Sequence, residues 1–302
     1  MDAGKQAKQK VVVIYNPFSG RRKVKTLPQL VHKILHNHVF HTQVWPTERA
    51  SDVVLLTEKA IREKTDIIIA AGGDGTINQV ASCLVNTDIA LGIIPLGSGN
   101  GFARHFNIPL NTEAALKCIK TAVSKKIDTI WINRHCMVNV GGIGFDAHIS
   151  SLFANNKKRG LQGYVKTIFK QIGYKSEHYS ILQKGNVVWE GRAFMISIAN
   201  ATQWGNNVKV HAGALPDDGL MNLVILKQFN AIELPMILTN VLSGRLHLSK
   251  NAVVLTGSDF TIKRLQEGSV HVDGEPLWLG REIEVNIEPL SLRVLSNESK
   301  KS

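Results

Sequence analysis

Cysteine is scarce in this 302-residue chain: three copies, Cys83, Cys118 and Cys136, with no CxxC pair and no Cys/His cluster. That spacing excludes a zinc ribbon or finger, and a scattered odd set suits a reducing compartment better than a disulfide framework. Long apolar runs are also missing. Nothing approaches the roughly 18 residues of a membrane-spanning helix, and VVVIY at 11–15 is too short for the core of a secretion signal. The expectation is a cytoplasmic protein whose membrane contact, if any, is peripheral. Acidic residues are few as well: 24 Asp+Glu against 36 Lys+Arg leave a net charge of +12. Such an excess points to an anionic partner: a nucleotide, a nucleic acid or an acidic membrane. Nucleic acid is disfavoured, because the chain carries no helix-turn-helix, RNP string or zinc pattern. Internal repeats and low-complexity linkers are absent too.

What is present divides in two. The first part alternates strand and helix patterns. Val11–Tyr15, Asp66–Ala71 and Ile89–Pro95 are continuous apolar runs, as in buried parallel strands. Leu27–His38 and Asp52–Lys64 space their apolar residues helically, and Asn111 or Thr112 can cap a third helix bearing Leu116, Ile119 and Val123. A βαβα order implies an open parallel sheet with ligands beyond the carboxyl ends of its strands. Near Ile127–Asn133 the pattern changes to short β-like runs, among them Met137–Val140, Tyr179–Gln183, Leu220–Leu226 and Ile283–Ile287. Helical stretches at Gly160–Tyr174 and Ala231–Leu246 interrupt them. The expected fold is an N-terminal open parallel-sheet α/β domain at 1–132, a β-sandwich domain at 133–295 whose last strands can pack back on the first, and a polar tail at 296–302. The active site is expected in the cleft between the domains.

Three segments fall at strand ends in the first part: Asn16-Pro-Phe-Ser-Gly20, Gly72-Gly-Asp-Gly-Thr76 and Gly97-Ser-Gly-Asn-Gly101. Gly72–Thr76 leads into a helix-like segment, Ile77–Val85. Glycines let the backbone turn sharply, and a helix N-terminus offers N–H groups and a positive dipole end to a phosphate. Thr76 and Asn78 add side-chain donors. Asp74 is the odd member, since a carboxylate among phosphate-binding amides repels the ligand. It makes sense if it holds Mg²⁺, orients a hydroxyl or acts as a base. No GxxxxGK[ST] or complete dinucleotide GxGxxG occurs.

Taken in order, GGDGTINQV, PLGSGNGFAR and the later DGE resemble the diacylglycerol kinase catalytic family, which includes bacterial soluble diacylglycerol kinases, YegS-type lipid kinases and sphingosine kinases. The likeness runs from VVVIYNPFSG to the last strands. GGDG alone is shared with NAD kinases; the three strings together are specific. The resemblance implies ATP contacts at Asn16, Pro17, Phe18, Ser19, Gly20, Thr47, Gly72, Gly73, Asp74, Gly75, Thr76, Ile77, Asn78 and Ser98. It implies Mg²⁺ near Ala214-Leu-Pro-Asp-Asp-Gly-Leu220, held by Leu215 and Leu220 carbonyls and Asp218, with Asp217 as the alternative carboxylate; read alone, PDDG is a β-turn between strands. Asp146, after Gly141-Gly-Ile-Gly144, would meet the lipid head group, or cap a turn or helix.

In Val270-His-Val-Asp-Gly-Glu-Pro276 a DG hairpin turn explains Asp273 and Gly274 but not Glu275. The resemblance offers Glu275 or Asp74 as proton acceptor, and Glu275 is favoured because Asp74 sits in the phosphate turn. His271 reads as structural. The implied reaction is ATP-dependent phosphorylation of a lipid alcohol such as diacylglycerol or a sphingoid base. An NAD kinase-like enzyme of a soluble substrate and a non-catalytic nucleotide- or nucleic-acid-binding protein are the rivals. Lys157-Lys158-Arg159 before Gly160–Tyr174 suggest contact with an anionic membrane, Ala231–Leu246 can line a lipid-tail pocket, and an exposed edge strand can pair two copies into a homodimer.

Overall fold

The computed structural model describes residues 8–17, 25–36, 39–154, 174–230 and 232–297. Phe18, Ser19 and Gly20, the basic run 157–159, nearly all of the 160–174 stretch and the tail beyond 297 lie outside the described residues. The chain divides into two compact units, residues 1–127 with 291–302, and residues 128–290.

In the first unit the order is β1 (Gln9–Tyr15), α1 (Leu27–Leu35), β2 (Phe40–Pro46), α2 (Asp52–Arg62), β3 (Ile67–Gly72), α3 (Asp74–Leu84), β4 (Ala90–Pro95), α4 (Gly101–His105) and α5 (Thr112–Thr121). All strand pairings here are parallel, in the order β2-β1-β3-β4. Both β3 and β4 are buried along their whole length, which is why they read as unbroken apolar runs. Tyr15 is level with Pro46 and Ala71, and Gly72 with Pro95, so the four strands end together. α1 and α5 supply Leu27, Val31, Leu35 and Leu116 to the core on the sheet. Of the two cap candidates, Asn111 takes the role by accepting the Ala114 N–H. α3 begins three residues earlier than its apolar spacing suggests, because Asp74, Gly75 and Thr76 form its first turn.

The second unit follows β5 (Val123–Ile132), which straddles the boundary. It holds β6 (His135–Met137), β7 (Val140–Gly144), α6 (Phe145–Ala154), β8 (Glu177–Gln183), β9 (Asn186–Ala199), β10 (Gln203–Gly205), β11 (Val208–Lys209), β12 (Met221–Lys227), α7 (Leu234–Leu242), a 3₁₀ turn at Leu246–Leu248, β13 (Ala252–Gly257), β14 (Asp259–Arg264), β15 (Gly268–Val272), β16 (Glu275–Leu279) and most of β17 (Glu282–Ser296). β9 organises the sandwich: Asn186–Ala193 pairs with β8, and Ala193–Ala199 pairs with β12 on one side and β7 on the other. Its burial alternates at first and becomes continuous from Met195 to Ala199, as expected of a strand passing from an edge into the core. Ile181, Ile196, Ile198, Leu223, Phe260, Ile262 and Val285 fill the interior. The expected strand Met137–Val140 is instead two strands, broken at Val138 and Asn139, and the glycines after it belong to β7. The helix expected over Ala231–Leu246 is confined to Leu234–Leu242.

β17 pairs with β14 over Glu282–Asn286, and its end pairs in parallel with β4 through Arg293 and Val294. Leu290, at the unit boundary, takes φ +49°.

Candidate active site

The level strand ends of the first unit collect Asn16, Thr47, the Gly72–Asn78 segment and the Gly97–Gly101 segment along one edge of the sheet. Asn16 N–H donates to Ala71 and Leu96 N–H to Gly72, tying neighbouring strand ends together. The two glycine turns lie against one another: a β-carbon on Gly97 would stand 2.7 Å from Gly73 Cα and 2.8 Å from Asn100 Oδ1. Gly72 makes room for the Thr76 side chain, which a β-carbon would strike. The second turn is braced from within. Asn100, left-handed at φ 50°, donates from Nδ2 to the Gly97 carbonyl, and Arg104 Nε donates to the Gly99 carbonyl.

α3 starts at Gly73 in extended conformation with no side-chain cap, unlike α5. First-turn amides of a helix have no acceptor within the helix, and the dipole end beside them is positive. An uncapped start next to a glycine turn can therefore take a phosphate. Asp74 stands within that first turn, half-buried. Ser98 is exposed on the facing turn. Ile77 offers a ligand nothing polar: its side chain is fully buried, and its N–H donates to the Gly73 carbonyl. Thr47 is 2% exposed, and its hydroxyl and N–H both turn to the Tyr15 carbonyl. These two residues shape the edge from behind.

In the second unit an apolar cavity of about 390 Å³ lies among Phe145, Phe194, Phe229 and the inner face of α7. Phe194 centres its ring contacts, 4.3 Å from Phe145 and 4.8 Å from Phe229. Asp146 is one of the few charged groups in the wall. It is 3% exposed, and Oδ2 accepts from Ser197 Oγ at 2.7 Å and Trp204 Nε1 at 3.0 Å. Asp146 Oδ1 lies 3.3 Å from His271 Nε2. The other nitrogen of that ring, Nδ1, accepts from Gly274 N–H, which leaves the ring proton on Nε2, toward Asp146. The glycines of β7 admit these groups: a β-carbon on Gly142 would collide with both Asp146 Oδ2 and His271 Nε2. Their close approach is thus to the protein's own side chains.

His271 opens the turn that presents Glu275. Asp273 at φ +50° and Gly274 at φ +88° form a two-residue hairpin between β15 and β16. The Asp273 carboxylate is turned inward, accepting from the N–H groups of Val138, Asn139 and Val140. Those three donors would otherwise be buried and unpaired at the break between β6 and β7. Arg264 holds the same hairpin from its far end, donating to the carbonyls of Gly268, Ser269, Leu279 and Gly280. Glu275 itself is exposed, as a group that must meet a substrate has to be.

Around Leu215–Leu220, Asp217 and Asp218 are exposed and Asp218 Oδ1 accepts the Leu220 N–H. The turn is anchored by Asp128, which is buried and accepts from Gly219 and Leu290 N–H groups while its own N–H donates to Pro216. Burial first, then the charges of Asp218 and Asp217, push the Asp128 carboxyl above its ordinary range against two lowering hydrogen bonds. Excess negative charge beside main-chain carbonyls fits a hard cation. No cluster of three or more His, Cys, Asp or Glu side chains able to hold a metal occurs among the described residues, so main-chain oxygens would have to complete such a site.

The sequence reading missed Asp128, Ser197, Trp204 and the Asp146–His271 contact. Only Asp128 carried a signal, as a lone carboxylate inside the apolar strand Ile-Asp-Thr-Ile-Trp-Ile. Among the described residues no helix is long and apolar enough to cross a membrane.

Known proteins match both halves. Residues 10–132 match the diacylglycerol kinase catalytic domain, and residues 139–296 the YegS C-terminal NAD kinase beta sandwich-like domain. A diacylglycerol kinase of Staphylococcus aureus is 30% identical over 270 residues, 87% of this chain and 85% of its own. A YegS-like lipid kinase of Pseudomonas fluorescens is 31% identical over 256 residues, 83% of this chain and 84% of its own. A crystal structure of a diacylglycerol kinase from Bacillus anthracis superposes with a TM-score of 0.73 at 19% identity, covering 97% of this chain and 98% of that one, a likeness of fold. With a strand-end glycine edge in one unit, a sandwich holding an apolar cavity in the other, and relatives matched along most of its length, the chain belongs to the diacylglycerol kinase catalytic family of lipid kinases.

Proposed function

We propose that this protein transfers the γ-phosphoryl group of ATP to the primary hydroxyl of a diacylglycerol-type lipid. The observation that carries the reading is the 390 Å³ apolar cavity in the sandwich unit, walled by phenylalanines and α7, with the Asp146 carboxylate in its lining. A soluble dinucleotide has no use for such a wall, whereas acyl chains do.

The roles follow from the groups present. The α3 first turn and the Gly97–Gly101 turn hold the phosphates through main-chain amides. The acceptor oxygen forms its bond to the γ-phosphorus as the bond to the β-bridging oxygen breaks, and ADP leaves. The hydroxyl proton passes to a carboxylate. We assign that step to Glu275, exposed and next to a hairpin turn anchored by the buried Asp273, and assign orientation of the nucleotide to Asp74 in the phosphate turn. Mg²⁺ arriving with the nucleotide would neutralise phosphate charge, and a separate structural Mg²⁺ would be held by the Leu215 and Leu220 carbonyls and the Asp218 carboxylate. Asp146, held by Ser197 and Trp204 with His271 behind it, presents a fixed polar point in the cavity wall to the lipid head group.

Incubation with γ-labelled ATP, Mg²⁺ and short-chain diacylglycerol tests this. Label in a solvent-extractable lipid phosphate is the expected result. Label in NADP from parallel incubations with NAD, and none in lipid, would establish the dinucleotide rival. Absence of transfer with salt-sensitive DNA binding would favour the nucleic-acid reading.

A further inference from the structure

α7 is apolar on too many sides for a helix that simply covers a core. Its sequence, LPMILTNVL, has only Thr239 and Asn240 as polar residues. Leu234, Ile237, Leu238 and Val241, at spacings of three, one and three, line the cavity. Met236 and Leu242 do not line the cavity and are 42% and 58% exposed, and the flanking Ile232 and Leu248 are 90% and 70% exposed. A surface helix ordinarily turns polar residues to solvent. Here the exposed residues of the helix are Pro235, Met236, Thr239 and Leu242, of which only Thr239 is polar, and the flanking Ile232 and Leu248 extend the apolar surface.

Exposed cations flank the two ends of α7. Lys209, Lys227, Arg245 and Lys250 are all exposed. Lys209 lies at the C-terminal end of α7, its methylenes 3.0 Å from where a β-carbon of Gly244 would stand. Lys250 lies at the N-terminal end, 3.0 Å from Glu233. Glu233 is the only carboxylate from Lys227 to Lys250, and it is already taken up by Lys250 and the Asn230 N–H.

From this we infer that the outer face of α7, with Ile232 and Leu248 at its two ends, is the surface by which the protein rests on an anionic bilayer, and that acyl chains reach the cavity past the same helix. Apolar side chains enter the acyl boundary while the flanking cations meet anionic head groups, the pattern of an interfacial helix. One helix then serves both surfaces: its inner stripe faces the bound acyl chain and its outer residues face the acyl chains of the bilayer. The inference rests on the lipid-kinase reading for the identity of the cavity's occupant, but its surface can be tested separately.

The test uses the full-length protein and sedimenting vesicles of phosphatidylcholine with about 30% phosphatidylglycerol. Ile232→Ser with Leu248→Ser, neither of which lines the cavity, should lower partitioning about tenfold or more. Arg245→Gln should lower it about fivefold, the effect of one basic residue at an anionic surface. Turnover of long-chain diacylglycerol in those vesicles should fall in step, while turnover of monomeric dihexanoylglycerol stays at the wild-type value. Undiminished partitioning of the serine pair overturns the surface. On the wild-type protein, the vesicles should protect amides of 232–248 from hydrogen exchange. Absence of protection there, or protection that appears without vesicles as a second copy or a protein binds, also overturns it. Vesicle protection of 232–248 in a protein that phosphorylates no lipid would leave the surface standing and remove the proposed reaction. Phosphorylation of monomeric diacylglycerol without protection would do the reverse.

Discussion

A single β-carbon decides whether the two glycine turns can touch. Gly97→Ala would place that carbon 2.7 Å from Gly73 Cα, main chain against main chain with nothing flexible to yield. Overpacking of this kind costs about 1–3 kcal/mol, so we expect a lowered melting temperature and a raised KM for ATP. An unchanged KM would mean that the turns do not jointly shape a nucleotide site. Asp273 is the residue-scale anchor of the other unit. Asp273→Ala leaves the amides of Val138, Asn139 and Val140 without their acceptor, at about 1–3 kcal/mol for each buried unsatisfied group. Denaturant unfolding should show a loss of several kcal/mol; a loss below about 1 kcal/mol would mean water replaces the carboxylate. Glu275→Gln is expected to lower kcat about 10²–10⁴-fold, as for loss of a general base, with the KM for ATP little changed. A defect confined to ATP binding would contradict the proton-acceptor role. Asp74→Ala should abolish transfer without altering the circular dichroism melt, and wild-type turnover would remove Asp74 from the reaction.

At the scale of elements, α3 and α7 carry different chemistry because their ends and faces differ. α3 buries Ile77, Val80, Ala81 and Leu84 as an ordinary amphipathic stripe and keeps its N-terminus free of a side-chain cap. α7 turns apolar residues both inward and outward. Leu238→Trp should fill the cavity and lower kcat/KM for a long-chain lipid by at least about tenfold, with ATP binding unchanged; an unaffected lipid KM would place the acyl chains elsewhere. Glu233 sits at the N-terminal end of α7. The Asn230 N–H first, then Lys250, hold the Glu233 carboxyl down at about 2, against an ordinary 4.5. A depressed carboxylate contributes stability that is fully present above its unfolded pKa and is lost as pH falls through the folded value. Protection factors at residues 232–236, corrected for the intrinsic exchange rate at each pH, should therefore fall between about pH 4.5 and 2, and Glu233→Gln should remove that dependence.

At the scale of the whole molecule, the net charge of +12 favours association with anions. What could be read from the sequence was periodic or compositional. Unbroken apolar runs marked β3 and β4, because a parallel strand buried on both faces has no polar side to show. Glycine-rich strings marked the two turns because their close packing leaves no room for a β-carbon, and Asp-Gly marked the β15–β16 hairpin because its left-handed backbone demands such residues. What the tertiary structure alone decided was pairing between residues far apart in the chain. Asp146 meets Ser197 and His271 across 51 and 125 positions, and Asp128 meets Gly219 and Leu290 across 91 and 162. No local spacing encodes such contacts, since each depends on which strands become neighbours. The cavity is only partly of this kind: Ala231–Leu246 already read as a candidate pocket wall, but Phe145, Phe194 and Phe229 carried no such signal until the fold gathered them around a space.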